Sequence, residues 1–418
     1  MLIRRPRSRR SMVVISLATL VAGMIAAGMA SIGRDQPVRP GLTIGSARQP
    51  WWDGVLPAPA STIAVPTADL PASDANAGST AGVRPVRPPA SAGLDPAKSP
   101  PKRPNRSGAG VAPAAKVESS AAVHPADFPD PSITVHAGRY WAFGTQAADR
   151  QVQVLSSTDL RTWRLEPDAL PRLPVWAEWG WVWAPSVLVR PASFVLFYTT
   201  RHAATGLQCI SHATSVVVGG PYVDGSTEPL VCQMDRGGSI DPEPFVAGDG
   251  STWLLWKSEG TIGGEPTRLW AQALAHDGQQ LVGARSELLA TAAPWEEPII
   301  EGPAMVEVDG RFHLLYSANR WETAAYAIGH AVCSTPLGPC RRTGRGPVLS
   351  AGESEAGPGS PAPFRTLTGE LVVGYHAWPA GAVSYPAGAR RLHLGQASVQ
   401  GDTFTIARGW LQRTTALG

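Results

Sequence analysis

The chain has 418 residues, 43% of them apolar and 17% charged, with 44 Gly, 40 Pro, 15 Trp and a formal net charge of +3. So low a charged fraction beside so many turn formers and indoles excludes a charge-laced helical bundle or coiled coil. The five arginines of residues 1–30 supply the whole positive excess and leave −2 for the remainder, which excludes a basic nucleic-acid binder.

In chain order, Arg4, Arg5, Arg7, Arg9 and Arg10 precede an uncharged stretch, residues 12–30, that ends in small residues. This is the order of a secretory signal over residues 1–30. Ser8-Arg9-Arg10-Ser11-Met12 is similar to a twin-arginine signal. The stretch also comes close to the ~20 residues that cross a bilayer, so an uncleaved anchor is the alternative. Either way the rest of the chain is expected outside the cytoplasm, secreted or at the cell surface. Residues 31–123 hold fifteen prolines among Ala, Ser, Gly and Val, and their only aromatics are Trp51 and Trp52. Such a stretch cannot bury enough surface to offset chain entropy. It is expected to be a disordered linker, fit to tether a folded domain to the cell envelope.

All four cysteines, Cys209, Cys232, Cys333 and Cys340, lie in the remaining segment. An even count in an exported chain favours disulfides over metal or redox chemistry, and proximity favours Cys209 with Cys232 and Cys333 with Cys340. Residues 124–418 also repeat one pattern five times: a loop with Pro, a hydrophobic run, a turn with Gly or Ser, and an aromatic-rich strand. The last pieces start at Gly138, Ser193, Gly250, Gly310 and Gly369, spaced 55, 57, 60 and 59 residues apart. Segments rich in aromatic and β-branched residues and bounded by Gly and Pro read as small antiparallel sheets. Five such sheets around an axis make an all-β, five-bladed propeller.

The loops ahead of these strands contain Asp130-Pro131, Ala184-Pro185, Asp241-Pro242, Glu301-Gly302-Pro303 and Gly357-Pro358, taken as equivalent positions. In a propeller such positions converge on one mouth, so Asp130, Asp241 and Glu301 are expected to face one another. Like charges at close range raise one another's proton affinity. A glycosidase uses that arrangement: one carboxyl protonates the departing sugar oxygen while an ionised one activates water. An Asp-Pro turn opener is the ordinary reading of each motif alone, and recurrence at matched positions favours the catalytic one.

The ordered set Asp130-Pro-Ser, Trp183-Ala-Pro-Ser186, Ser239-Ile-Asp-Pro242, Glu301-Gly-Pro-Ala-Met305, Gly357-Pro-Gly359 and Tyr375-His-Ala-Trp378 resembles glycoside hydrolase family 43. Its members are five-bladed propellers acting on arabinans, arabinoxylans and xylo-oligosaccharides. The resemblance spans residues 124–418 and implies an inverting mechanism with Asp130 as general base, Glu301 as general acid and Asp241 tuning and orienting the acid. It implies no required cofactor. A structural calcium is compatible with the family, but Ser360 stands where many members carry the His that helps hold it, and Ser186 stands where many carry Asp. Trp183, Ser186, Trp321, His376 and Arg391 are the expected substrate contacts, flat indoles suiting the CH-rich faces of sugars. The expected partner is an oligo- or polysaccharide bound by a monomer. A non-catalytic carbohydrate-binding propeller is the alternative; a propeller of the WD type is disfavoured because the repeats exceed ~40 to 45 residues.

Overall fold

The computed structural model describes residues 121–410 apart from 148 and 261–263, so the expected signal and nearly all of the expected linker lie outside the described residues. Nineteen strands form five sheets in sequence order. Blade 1 holds β1 (Ser132–His136), β2 (Arg139–Gly144), β3 (Gln153–Ser157) and β4 (Arg164–Leu165). Blade 2 has only three strands, β5 (Trp183–Val189), β6 (Phe194–Arg201) and β7 (Gln208–Ser215). Blade 3 comprises β8 (Ser239–Val246), β9 (Thr252–Ser258), β10 (Arg268–Leu274) and β11 (Leu281–Ala290). Blade 4 comprises β12 (Ile300–Val308), β13 (Arg311–Ala318), β14 (Ala327–Cys333) and β15 (Cys340–Arg342), and blade 5 β16 (Glu355–Arg365), β17 (Leu371–Pro379), β18 (Arg391–Gln400) and β19 (Thr403–Arg408). Every pairing of neighbouring strands within the blades is antiparallel.

The first strand of each blade touches the first strand of the next, and β16 touches β1, which closes a five-membered ring. Each joint between blades has its own apolar cluster. Phe143, Val154 and Leu196 fill the joint of blades 1 and 2, Val195, Phe197 and Trp256 that of 2 and 3, and Leu255, Met305 and Tyr316 that of 3 and 4. Leu315, Val373 and Tyr375 fill the joint of 4 and 5, and Tyr140, Phe364 and Leu394 that of 5 and 1. A sheet covered on both faces needs apolar side chains on both, which is why Phe194-Val-Leu-Phe-Tyr198 runs unbroken instead of alternating. Each such side chain contributes about 1.5–3 kcal/mol of burial. The turns that join the inner two strands follow from sequence. Ala137-Gly138 and Asp309-Gly310 are two-residue loops with positive φ at both positions, the type I′ geometry that matches strand twist.

The ring corrects one equivalence. Asp130, Ala184, Asp241, Gly302 and Ser360 all have φ between 43° and 56°, all precede Pro, and stand 54, 57, 61 and 58 residues apart. Glu301 is therefore one residue ahead of its blade's ring position, and the fifth member is Ser360-Pro361, not Gly357-Pro358. Gly357 also has positive φ, but it belongs to an earlier bulge in β16. The ring residues are not loops in blades 2 to 5: they sit in the inner strands, at register shifts such as Ile240/Glu243 and Glu301/Ala304. Left-handed backbone is costly outside Gly and doubly unusual before Pro. Bulges of this kind re-aim side chains, and here they turn the inner strands of blades 2 to 5 toward a common mouth, which Asp130 joins from just ahead of β1.

Candidate active site

The five ring residues and their prolines line a narrow axial hollow of about 30 Å³, room for a water molecule or two. Asp130 contributes from blade 1, Asp241 from blade 3, and Glu301 stands beside ring member Gly302 in blade 4. Gly302 N–H donates to Asp241 Oδ2 at 2.9 Å, and Ser360 Oγ donates to Asp130 Oδ1 at 2.8 Å. The three expected carboxylates are thus brought to one mouth.

Their surroundings differ. Asp130 accepts from Thr145 Oγ1 at 2.6 Å and faces the Arg390 guanidinium at 3.3 Å. Burial works to raise its proton affinity, but Arg390, the nearby His376 ring and the two hydroxyl donors outweigh it and hold the carboxyl below its ordinary range. Asp130 is therefore an ionised acceptor at neutral pH. Burial and then the Glu301 carboxylate push the Asp241 carboxyl well above its ordinary range, against the pull of Lys257. Glu301, only 8% exposed, accepts from Tyr326 Oη at 2.8 Å and from Lys257 Nζ at 2.8 Å.

The expected sugar contacts scatter. Ser186 is buried, and its hydroxyl donates to the Pro242 carbonyl at 2.5 Å; it joins blades 2 and 3 and leaves no donor for a ligand. His376 is wholly buried under Tyr326, ring centroids 5.9 Å apart, and its Nδ1 accepts the Asp130 N–H at 3.0 Å. Burial and then Arg390 push it down to about 3, so it is a neutral ring that orients Asp130. Trp183 is half-buried and meets Trp181 edge-on; Arg201 lies over Trp181 at 4.7 Å. Trp321 does reach the Asp130 side of the mouth, since Arg390 lies over its ring at 4.5 Å. Arg391 forms none of these contacts, and its Nε is buried without a hydrogen-bond partner. Its neighbour Arg390 is the residue that matters. Arg390 N–H donates to Asp127, which also accepts from Tyr385 Oη at 2.8 Å.

Sequence reading missed Arg390, Tyr326, Thr145 and Lys257. Arg390 is one of 32 arginines and carries no motif, but Lys257 had a signal: it is the only lysine after position 116. Both expected disulfides are present, Cys209–Cys232 and Cys333–Cys340. Among the described residues no helix is long and apolar enough to cross a membrane.

A larger cavity of about 500 Å³ lies further along the inner strands, lined by Glu243, Phe245, Met305, Glu307 and Arg365 among others. Burial pushes the Glu243 carboxyl up to about 8. Among the described residues no three His, Cys, Asp or Glu side chains converge to hold a metal ion, and the Ser360 hydroxyl is already committed to Asp130. The donor set does not fit a calcium held by side chains.

Residues 120–400 match the family described as glycosyl hydrolases family 43. A β-D-galactofuranosidase of Aspergillus niger is 28% identical over 238 residues, 53% of this chain and 65% of the relative, so less than two thirds of that protein's length is matched. Among solved structures, a thermostable family-43 glycoside hydrolase superimposes with a TM-score of 0.60 at 26% identity, over 68% of this chain and 95% of its own. An endo-1,4-β-xylanase of Bacteroides thetaiotaomicron does so with 0.58 at 25%, over 70% and 100%. A match over well above half of the chain, on a five-bladed ring with three acids at its mouth, makes this protein a member of glycosyl hydrolases family 43.

Proposed function

We propose that this protein is an exported glycosidase that cleaves arabinofuranosyl or xylosyl linkages of plant cell-wall polysaccharide with inversion at the anomeric carbon. One observation carries the reading: three carboxylates meet at one mouth in opposed electrostatic settings, Asp130 held ionised by Arg390 and its hydroxyl donors while burial and the neighbouring Glu301 push the Asp241 carboxyl toward its protonated form. In this mechanism Asp130 takes a proton from water as its oxygen bonds to the anomeric carbon. Glu301 passes its proton to the departing glycosidic oxygen as the old bond breaks, and Asp241 orients and tunes the acid. Trp321, which lies under Arg390 and stacks on Trp378, brings an aromatic ring to the Asp130 side of the mouth, where its edge would border a bound sugar. The two disulfides support an oxidising compartment and hence export. A monomer tethered by its N-terminal stretch completes the proposal, and no metal enters any step.

The test is a panel of nitrophenyl α-L-arabinofuranoside, β-D-xylopyranoside and β-D-galactofuranoside with linear arabinan and xylan, run with and without chelator. Anomer-resolved NMR reads the first product. Turnover of one pentoside to the inverted anomer, unaffected by chelator, is the expected result. Tight binding by calorimetry without hydrolysis would instead establish the lectin-like reading, which Ser186 and Ser360 in place of the Asp and His of many family members favour.

A further inference from the structure

Every cationic side chain of the described residues other than histidine is arginine, except Lys257. It stands in the middle of blade 3, opposite Ile240 of β8 and Leu269 of β10, with its side chain 2% exposed. An arginine there would fix a planar fork on one carboxylate. A lysine is a point charge with three donors on a flexible stem and can be shared or passed between acceptors. Two acceptors lie within reach: Glu259 Oε2 at 2.7 Å and Glu301 Oε2 at 2.8 Å. Glu259 stands just past the end of β9, and the Lys257 ammonium bridges it to Glu301 of blade 4.

The arrangement poses a chemical problem. An ammonium pinned on Glu301 alone favours the ionised carboxylate, the wrong state for protonating a leaving group. A second carboxylate that draws the ammonium away relieves this. We propose that Glu259 is a positioning residue for the acid: it competes with Glu301 for the Lys257 ammonium and so leaves the Asp241–Glu301 pair able to keep the proton that the departing sugar oxygen requires. The inference rests on the reading of Glu301 as general acid. When the proton passes from Glu301 to the glycosidic oxygen and the glycosidic bond breaks, the carboxylate left behind draws Lys257 back from Glu259. The ammonium thus compensates charge at the moment it forms, and no proton is gained or lost by Lys257.

The other groups facing Glu301 do not supply this function. The Tyr326 hydroxyl donates to it, Asp241 repels its charge, and Asp130 lies across the mouth under Arg390. His376 stacks on Tyr326, is bonded to the Asp130 N–H and is neutral. Glu259, with its side chain 32% exposed, is the one anion placed to take the ammonium from the solvent side.

Carboxyl ¹³C NMR of glutamate- and aspartate-labelled protein reads the pair directly, with Glu301→Gln and Asp241→Asn assigning its signals, alongside kcat/KM against pH. Glu259→Gln should move the upper titration of the pair, and the alkaline limb of the profile, down by about one unit. Lys257→Met should move both upward, and Glu259→Asp, which keeps the charge, should restore the wild-type position. An unmoved titration in Glu259→Gln, or a shift of the same sign as in Lys257→Met, overturns the proposal, because loss of packing alone predicts no opposed signs. Titrations that move as stated in a protein without turnover would uphold the ammonium sharing and overturn the glycosidase reading. Turnover with unmoved titrations would overturn the sharing alone.

Discussion

Gly359 lies in β16 opposite His376, and a methyl group there would collide with the ring that holds the proposed acid. A Cβ built at this position stands 1.9 Å from Tyr326 Cε1, 2.4 Å from Cδ1 and 2.8 Å from Cζ. Ordinary carbon contact begins near about 3.5 Å, so the ring must retreat by roughly 1.6 Å. It has nowhere to go, being buried and stacked on His376 at an interplanar angle of 8°. Such a retreat stretches the 2.8 Å bond from Tyr326 Oη to Glu301 beyond any useful length. Overpacking costs about 1–3 kcal/mol and loss of a hydrogen bond to a charged group about 1.5–3 kcal/mol. Gly359→Ala should therefore lose roughly 3–5 kcal/mol of stability, seen as a melting point lower by on the order of ten degrees. If the hydroxyl also orients Glu301 in the transition state, kcat/KM falls about 10- to 100-fold. Tyr326→Phe separates the two effects: it removes the bond without the collision, so it should reproduce the kinetic loss with a smaller drop in melting point. Melting by circular dichroism and kcat/KM on the best pentoside check both. Wild-type melting in Gly359→Ala would refute the steric argument, and wild-type kcat/KM in Tyr326→Phe would refute the role of the hydroxyl.

Glu301→Gln preserves shape and its neighbours' packing, so hydrolysis should fall about 10²- to 10⁴-fold with little change in melting; retained turnover would remove the acid assignment. Because Arg390 holds Asp130 ionised, activity should persist as pH falls through the ordinary carboxylate range and fail only below it. Arg390→Gln should move that acidic limb to higher pH, and a limb that stays put would show that Arg390 does not set the charge of Asp130. Loop-closure entropy predicts a cost of about 3 kcal/mol for Cys209→Ser/Cys232→Ser, whose cysteines are 23 apart, against about 2 kcal/mol for Cys333→Ser/Cys340→Ser at 7 apart. Thermal melts in the opposite order would refute this ranking.

The propeller was legible because its signals are local and repeated. A turn with Gly or Ser and an aromatic strand recur every 55 to 60 residues, and an X-Pro pair precedes each. Asp130, Asp241 and Glu301 were found by that periodicity. The exact ring register was not, since blade 5 offers three closely spaced X-Pro pairs, Gly357-Pro358, Ser360-Pro361 and Ala362-Pro363, and the positive φ of Ser360 at the register shift ahead of the Ala362–Gly374 pair, with its spacing from Gly302, singles out the second. The partners of the acids were hidden for another reason. Arg390 and Tyr326 come from segments just ahead of β18 and β14, where repeats are free to differ in length and no spacing rule applies. Ser186 misled because its place in a motif says nothing about which way a bulged strand turns its side chain; here it turns into the joint with blade 3.

Among the described residues each blade is built from consecutive strands of the chain, and no strand is traded between the first and last sheets to lock the circle. The seam is held instead by Val123 and Phe128 bonding to Leu392 and Arg390, by the Tyr140–Phe364–Leu394 cluster, and by Asp127 with Tyr385 and Arg390. Asp130 sits on that seam. Three groups that fix its charge and direction, Ser360, His376 and Arg390, arrive from the far end of the chain. The groups proposed to ready Asp130 as the base are therefore complete only where blade 5 has closed against blade 1. On the proposed mechanism, four packed blades without the fifth would lack the partners that charge and aim that carboxylate.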